Sequence, residues 1–424
     1  MKSEKDGNSF FSQSIIDLVF PKGYELLPFT HEVFAIEFAL GELEMLSKEE
    51  LVRRSGFFAR IDDEPTIHYR MCQETPIEEI KSGKTVWVKS FFEANRFCTG
   101  YATHSLFPYR GKFHPQLIKG ILNVIGVEEG ATVLDPMAGS GTACIEAQLM
   151  NINAIGVDVN PFCTLISRAK SYALDVDANK LKNWGTEKEI SELAKHLSDY
   201  VNKCDKVDSF LSDITITGDN KVDLIILLAY LDAVGYSRRR KTGSTESLLP
   251  KVYRRYLHTI DSFIETRKKL GIKLGKAEAY TEDILNLSLA DSSVDAVVTS
   301  PPYSFAIDYV ENDRPQLEFL GVDVDKLKNT MIGLQGKNRS EQIANYFEAM
   351  NRAIGEMSRV LKSGRFCVII VGSNEIQTGG IRHEKEFCNF ARNHELVLRR
   401  DLVKSIEGIQ NSMREEHLLF FEKE

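Results

Sequence analysis

Ala131-Thr132-Val133-Leu134-Asp135-Pro136-Met137-Ala138-Gly139-Ser140-Gly141-Thr142 is the stretch that decides how this chain folds. A short apolar run enters a polar loop holding two glycines, and the segment from Ala143 to Met150 has helical character. Strand, tight loop and helix in that order open a Rossmann-like α/β sheet, in which ligands bind at the carboxyl ends of the strands. Gly139 and Gly141 let the backbone turn sharply and approach a ligand closely. A second apolar run, Ala154-Ile155-Gly156-Val157, ends in Asp158. That residue falls about 20 positions after the loop, where an acidic side chain takes a ribose diol.

The loop does not suit a phosphate. No lysine follows Gly141, so the Gly-x-x-x-x-Gly-Lys cradle is absent, and no third glycine completes Gly-x-Gly-x-x-Gly. Asp135 ahead of the glycines repels a pyrophosphate but suits the ammonium of an amino acid. A nucleoside cofactor with an amino-acid end fits best, and S-adenosylmethionine is such a cofactor. Phe162, in Asn160-Pro161-Phe162, either walls the adenine or only begins a helix.

A second signal lies downstream, where the apolar run Val294-Asp295-Ala296-Val297-Val298-Thr299 leads into Ser300-Pro301-Pro302-Tyr303. The prolines fix the backbone and remove two N–H donors, leaving the carbonyls of Ser300 and Pro301 to accept hydrogen bonds from something other than the chain. Tyr303 adds a flat face. A hydroxyl, free carbonyls and an aromatic plate suit a planar ligand with an exocyclic amine, held by its edge and stacked on its face.

With these residues in view, the chain resembles the S-adenosylmethionine-dependent DNA amino-methyltransferases. Asp135-Pro136-x-x-Gly139-Ser140-Gly141-Thr142 looks like their cofactor loop, and Ser300-Pro301-Pro302-Tyr303 looks like their catalytic motif. In that family the Ser-Pro-Pro-Tyr form goes mainly with cytosine N4 and Asp-Pro-Pro-Tyr with adenine N6. Thr103-His104-x-x-Phe107-Pro108-Tyr109-x-Gly111-Lys112-Phe113-His114-Pro115 is similar to the segment that closes over the methionine, and Ile307-Asp308-Tyr309 is a further match. The likeness spans about residues 101–171 and 279–424. It implies Ser300, Pro301, Pro302 and Tyr303 as the catalytic turn. Asp135, Pro136, Ala138, Gly139, Gly141, Thr142, Asp158, Phe162 and Asp283 are implied as cofactor contacts. It also implies DNA as partner, and raises a cognate restriction endonuclease encoded nearby.

Composition is that of an ordinary cytoplasmic protein, the expected location. The seven cysteines form no Cys-x-x-Cys pair, which reads as reduced packing thiols and no metal site. No Pro-Cys dipeptide occurs, and the nucleophile of cytosine-C5 methyltransferases is therefore missing. The first residues, Met1-Lys2-Ser3-Glu4-Lys5-Asp6, lack an apolar signal core.

The net charge of -8 does not suggest nucleic acid, but its distribution does. From Arg238, Arg239, Arg240 and Lys241 onward to Lys276, cations dominate, with Tyr236, Tyr253, Tyr256 and Phe263 interleaved. Such a run offers phosphate contacts and stacking surfaces, or else one solvated helix face. Landmarks then divide the chain into an amino-terminal α/β or α+β domain over 1–100 and a first catalytic part over 101–171. A helical basic insertion over 172–278, the candidate target-recognition region, and a second catalytic part over 279–424 follow. The rival substrate is RNA, at guanine N2 or cytidine N4. Phe113-His114-Pro115 also resembles tRNA guanine-N2 enzymes, whereas their usual Asp- or Asn-Pro-Pro-Tyr differs from Ser300. A nucleic-acid-binding module with an inactive core is a third reading, opposed by the intact loop, ribose acid and turn.

Overall fold

The computed structural model describes residues 13–28, 30, 32–74, 77–81, 84–88, 99–109, 113–184, 190, 216–240, 243–302, 309–372, 380–405 and 415–424. They form two compact units.

The first unit takes residues up to Tyr101 together with His114–Val127, a segment the sequence reading grouped with the catalytic part. The reason is visible in its packing. The helix Pro115–Val124 lies against the helix Val33–Met45. Its Asn123 donates to Glu42 Oε1 at 2.6 Å and accepts from Arg54 Nε at 2.7 Å, so a buried polar knot ties the segment in. Glu42 also accepts from the Ser55 hydroxyl and the Gly56 amide, the kind of satisfaction a buried carboxylate requires. A three-stranded antiparallel sheet, Tyr24–Leu26, Phe58–Ile61 and Glu64–Pro65, completes an α+β arrangement with the helices.

The second unit is built on a seven-stranded sheet of β1 (Thr132–Asp135), β2 (Asn153–Asp158), β3 (Ala277–Thr281), β4 (Val294–Thr299), β5 (Leu361–Gly372), β6 (Leu396–Ser405) and β7 (Glu415–Lys423). The order across it is β6-β7-β5-β4-β1-β2-β3. Strands β1 to β5 run parallel, and β7 is antiparallel to both β5 and β6. The chain moves outward from β1 to β3, then crosses back to place β4 on the other side of β1. That reversal opens a crevice where parallel sheets bind ligands.

Periodicity explains the helices. α1 (Thr142–Leu149) and α2 (Pro161–Ala173) follow β1 and β2, the second capped by Asn160, whose side chain accepts from the Phe162 amide. α3 (Asn220–Arg240) and α4 (Thr245–Leu270) pair with one another, and α3 packs on α2. Tyr253, Tyr256 and Phe263, expected as stacking surfaces, are core residues instead, at 2 %, 0 % and 1 % exposure. Their spacing with Ile260 makes one apolar stripe on α4, which the core takes. α5 (Tyr309–Phe319) and α6 (Val324–Thr330) follow β4 in the chain. α7 (Arg339–Val360) is capped by Asn338, whose side chain accepts from Glu341 N at 3.0 Å. It buries Tyr346, Met350, Ala353, Ile354 and Met357. α8 (His383–Arg392) packs beside α7. Among the described residues no helix is long and apolar enough to cross a membrane.

Candidate active site

A cleft opens at the carboxyl ends of β1 to β4 and holds about 850 Å³ of space, its open mouth included. Pro136, Met137 and Gly139 enter it after β1, and Asp158, Val159 and Asn160 after β2. Asp283 and Ile284 come after β3, and Ser300, Pro301 and Pro302 after β4. Two motifs more than a hundred residues apart in the chain thus share one wall.

Asp158 is fixed by its own loop. Its Oδ2 accepts from Gly139 N at 2.8 Å and its Oδ1 from Asn160 N at 2.9 Å. Burial pushes its carboxyl up to about 6, against the restraint of those two amides. Gly139 stands at φ +50° beside the Tyr109 ring, a backbone geometry that side chains disfavour. Tyr109 closes that part of the cleft, its hydroxyl 3.4 Å from Cys163 Sγ. Burial raises its ionisation well above the ordinary range, which keeps the phenol neutral. The same segment is anchored from behind by His104, whose Nε2 meets Glu146 Oε1 of α1 at 2.7 Å.

Asp135 sits elsewhere than expected. At 1 % exposure it lies outside the cleft lining, with Oδ1 accepting from Thr299 Oγ1 at 2.8 Å and Met137 N at 3.2 Å. It braces the end of β1 against the end of β4. Burial raises its carboxyl to about 7.

Of the remaining expected contacts, Pro136, Gly139, Asp158, Asp283, Ser300, Pro301 and Pro302 meet in the cleft. Ala138, Gly141 and Thr142 do not line it; they form the turn and the first residue of α1 beneath it. Phe162 is 0 % exposed with its ring edge-on to Phe107 at 5.1 Å, so it is core and Val159 and Ile284 supply the apolar wall. Tyr303, Asp308 and Lys241 lie outside the described residues. Arg238 donates to Glu318 at 3.1 Å, and Arg239 and Arg240 close α3.

Sequence reasoning did not single out Asn160 or the segment Thr330-Met331-Ile332 as contacts, though both line the cleft; Tyr109 lines it too, in the segment whose resemblance implied closure over the methionine. Asn160 was signalled by its place after the ribose acid. No local pattern marks Thr330–Ile332, which the fold brings in from the end of α6.

The residues fit an adenosyl cofactor bearing an amino acid. Asp158 presents a carboxylate beside a glycine that leaves room, and Asn160, itself 1 % exposed, has its Nδ2 without a protein partner among the described residues. An unsatisfied buried donor in a cleft wall is expected where a ligand supplies the acceptor.

Comparisons with known proteins agree. Residues 105–227 match the family model UPF0020, described as an RMKL-like methyltransferase domain. Type II methyltransferase M.BsoBI of Geobacillus stearothermophilus is 24% identical over 315 residues, which cover 61% of this chain and 61% of that protein. Type II methyltransferase M.MjaII of Methanocaldococcus jannaschii is 35% identical over 106 residues, 24% of this chain and 20% of its own length. The tRNA (guanine(10)-N2)-dimethyltransferase of Methanothermobacter thermautotrophicus is 39% identical over 54 residues, 13% of this chain and 16% of that one. The matches thus span less than two thirds of these relatives' lengths. Residues 105–227 thus carry a methyltransferase domain, with S-adenosylmethionine as its cofactor.

Proposed function

We propose that this protein methylates the exocyclic amine of a base in DNA, with cytosine N4 as the acceptor. The observation that carries the reading is the joint lining of one cleft by the cofactor loops and by Ser300-Pro301-Pro302. The Type II methyltransferase relatives support DNA as the substrate class, and the serine form of the turn supports cytosine.

When bound, the cofactor supplies an electrophilic methyl group. An exocyclic amine is a poor nucleophile because its lone pair is delocalised into the ring. The Ser300 side chain and the Pro301 carbonyl accept its two N–H groups, drawing the nitrogen toward tetrahedral geometry and localising that pair. Orientation contributes the larger share, since holding the reacting atoms near contact is worth about 7 kcal/mol or more. No strong general base is needed, because the proton leaves after the nitrogen has become cationic. In a duplex the base is first flipped out of the stack, and Tyr303 serves as its stacking partner. Asp158 and Asn160 would hold the ribose of the cofactor, and Asp283 and Ile284 its adenine. Residues 172–278, with the cluster from Arg238, serve as the target-recognition region, and a cognate endonuclease is the natural genetic partner.

The test is transfer of labelled methyl from S-adenosylmethionine to duplex DNA, followed by mass spectrometry of the nucleosides. N4-methylcytosine is the expected product. Ser300→Ala is expected to retain cofactor affinity within about twofold while lowering the transfer rate by about 100-fold. Label only in N6-methyladenine overturns the choice of base. A second reading, RNA amino-methylation, is favoured by the tRNA guanine-N2 relative. Label in transfer or ribosomal RNA with none in DNA moves the function there.

A further inference from the structure

Tyr346 has no part in the chemistry so far. It sits on α7, 1 % exposed, and its hydroxyl donates to the Pro302 carbonyl at 3.1 Å. The catalytic turn needs such an outside hold. Pro301 and Pro302 have no N–H, so the turn has few amides with which to tie itself down.

The tyrosine is well placed to be rigid. Its ring meets His383 edge-on at 5.5 Å and Phe347 at 5.3 Å, and stacks on Phe387 at 6.5 Å. The same ring also lies beside the segment that follows another part of the cleft lining. Gly333, at φ +93°, passes so close that a Cβ there falls 3.6 Å from Tyr346 Cδ2, directly after the cleft-lining Thr330-Met331-Ile332. Its neighbour Asn345 donates from Nδ2 to the Gln335 carbonyl at 3.3 Å. Two consecutive residues of one helix therefore touch both the turn that bears Ser300 and the stretch that continues the cleft-lining Thr330-Met331-Ile332.

We propose that Tyr346 is a positioning residue for methyl transfer: its hydroxyl fixes the Pro302 peptide and so aims the Ser300 and Pro301 acceptors, without touching either reactant. This rests on the methyltransfer reading above. The plainer account is that a buried phenol takes the nearest carbonyl and contributes only stability.

Tyr346→Phe separates the two, because it keeps the ring and removes the hydroxyl. Tyr253→Phe is the control. That residue is also buried, and its hydroxyl donates to the Leu181 carbonyl at 2.8 Å, neither residue lining the cleft. Full-length wild type and both variants are compared by single-turnover transfer, cofactor titration calorimetry and thermal unfolding. Tyr346→Phe is expected to lower the transfer rate about tenfold while cofactor affinity and KM stay within about twofold; Tyr253→Phe is expected to leave the rate unchanged at a similar loss in Tm. The combined Tyr346→Phe and Ser300→Ala protein is expected to lose less than the product of the single losses, since both act through one turn. An unchanged rate in Tyr346→Phe, an equal fall in Tyr253→Phe, or a fall matched by weaker cofactor binding overturns the proposal while leaving the function standing. A wild type that transfers methyl to no nucleic acid overturns both.

Discussion

Asp158 shows how much a single carboxylate is asked to do in this cleft. Burial has raised it to about 6 and its neighbour Asp135 to about 7, from an ordinary 3.8. The sign follows from linkage. A raised carboxyl binds protons more tightly in the folded state, so each contributes stability that is full below about pH 4 and is lost as pH climbs through about 6 to 7. Ligand-free protein is therefore expected to lose denaturant resistance across that window. With Asp158 holding the ribose as proposed, cofactor binding should move the other way, because the ionised carboxylate is the better acceptor for the hydroxyls. Affinity measured by calorimetry is expected to rise by on the order of tenfold between about pH 5 and about pH 7.5. Asp158→Ala should weaken binding by on the order of tenfold or more and flatten the dependence. Affinity that is flat with pH in the wild type removes Asp158 from the titration.

The strand-loop-helix element β1 to α1 was legible in the sequence because its signals are local: an apolar run, two glycines and a helical stretch in immediate succession. Its tightest point is Gly141, at φ +77°, where a Cβ falls 2.9 Å from the Ser167 Cα of α2. Gly141→Ala is thus expected to cost about 2 to 4 kcal/mol, combining a strained backbone with a steric clash. Gly130→Ala offers the comparison. It shares a positive φ of +79° but has open space around it, so its cost should stay near about 1 kcal/mol when both variants are unfolded in urea. Phe162 was not legible in this way. A phenylalanine after the ribose acid serves as a cofactor wall or as core according to helix phase, and here it joins Leu165, Ile166 and Ala169 on the buried face of α2. Thr330–Ile332 was beyond reach for a different reason: the contact depends on where the α5 and α6 pair sets the chain down, which no short pattern encodes.

At the scale of the whole molecule, charge rather than packing bears on the proposed nucleic-acid substrate. On α4, Lys251, Arg254, Lys268 and Lys269 are exposed, whereas Arg255 turns inward to the buried Asp232 and Arg267 pairs with Asp175. The basic run is therefore part surface and part scaffold. Replacing Arg238, Arg239, Arg240 and Lys241 with Gln is expected to weaken duplex binding about tenfold or more at moderate salt and to reduce its salt dependence, with cofactor affinity unchanged. Unaltered binding across a salt series would place the contact surface elsewhere. The hydrogen bond from Thr299 to Asp135 carries a consequence for how the protein comes into being. It joins positions 164 apart in sequence, and β4 is the neighbour that completes one side of the central β1. A growing polypeptide must release everything up to Thr299 before β1 gains that neighbour, so Val133 and Leu134 wait on the ribosome with one strand edge open. Assembly of the second unit is thus late, long-range and exposed to misassociation, and a nascent chain halted within the α3–α4 region holds the sequence of a cofactor loop but no place for the cofactor to bind.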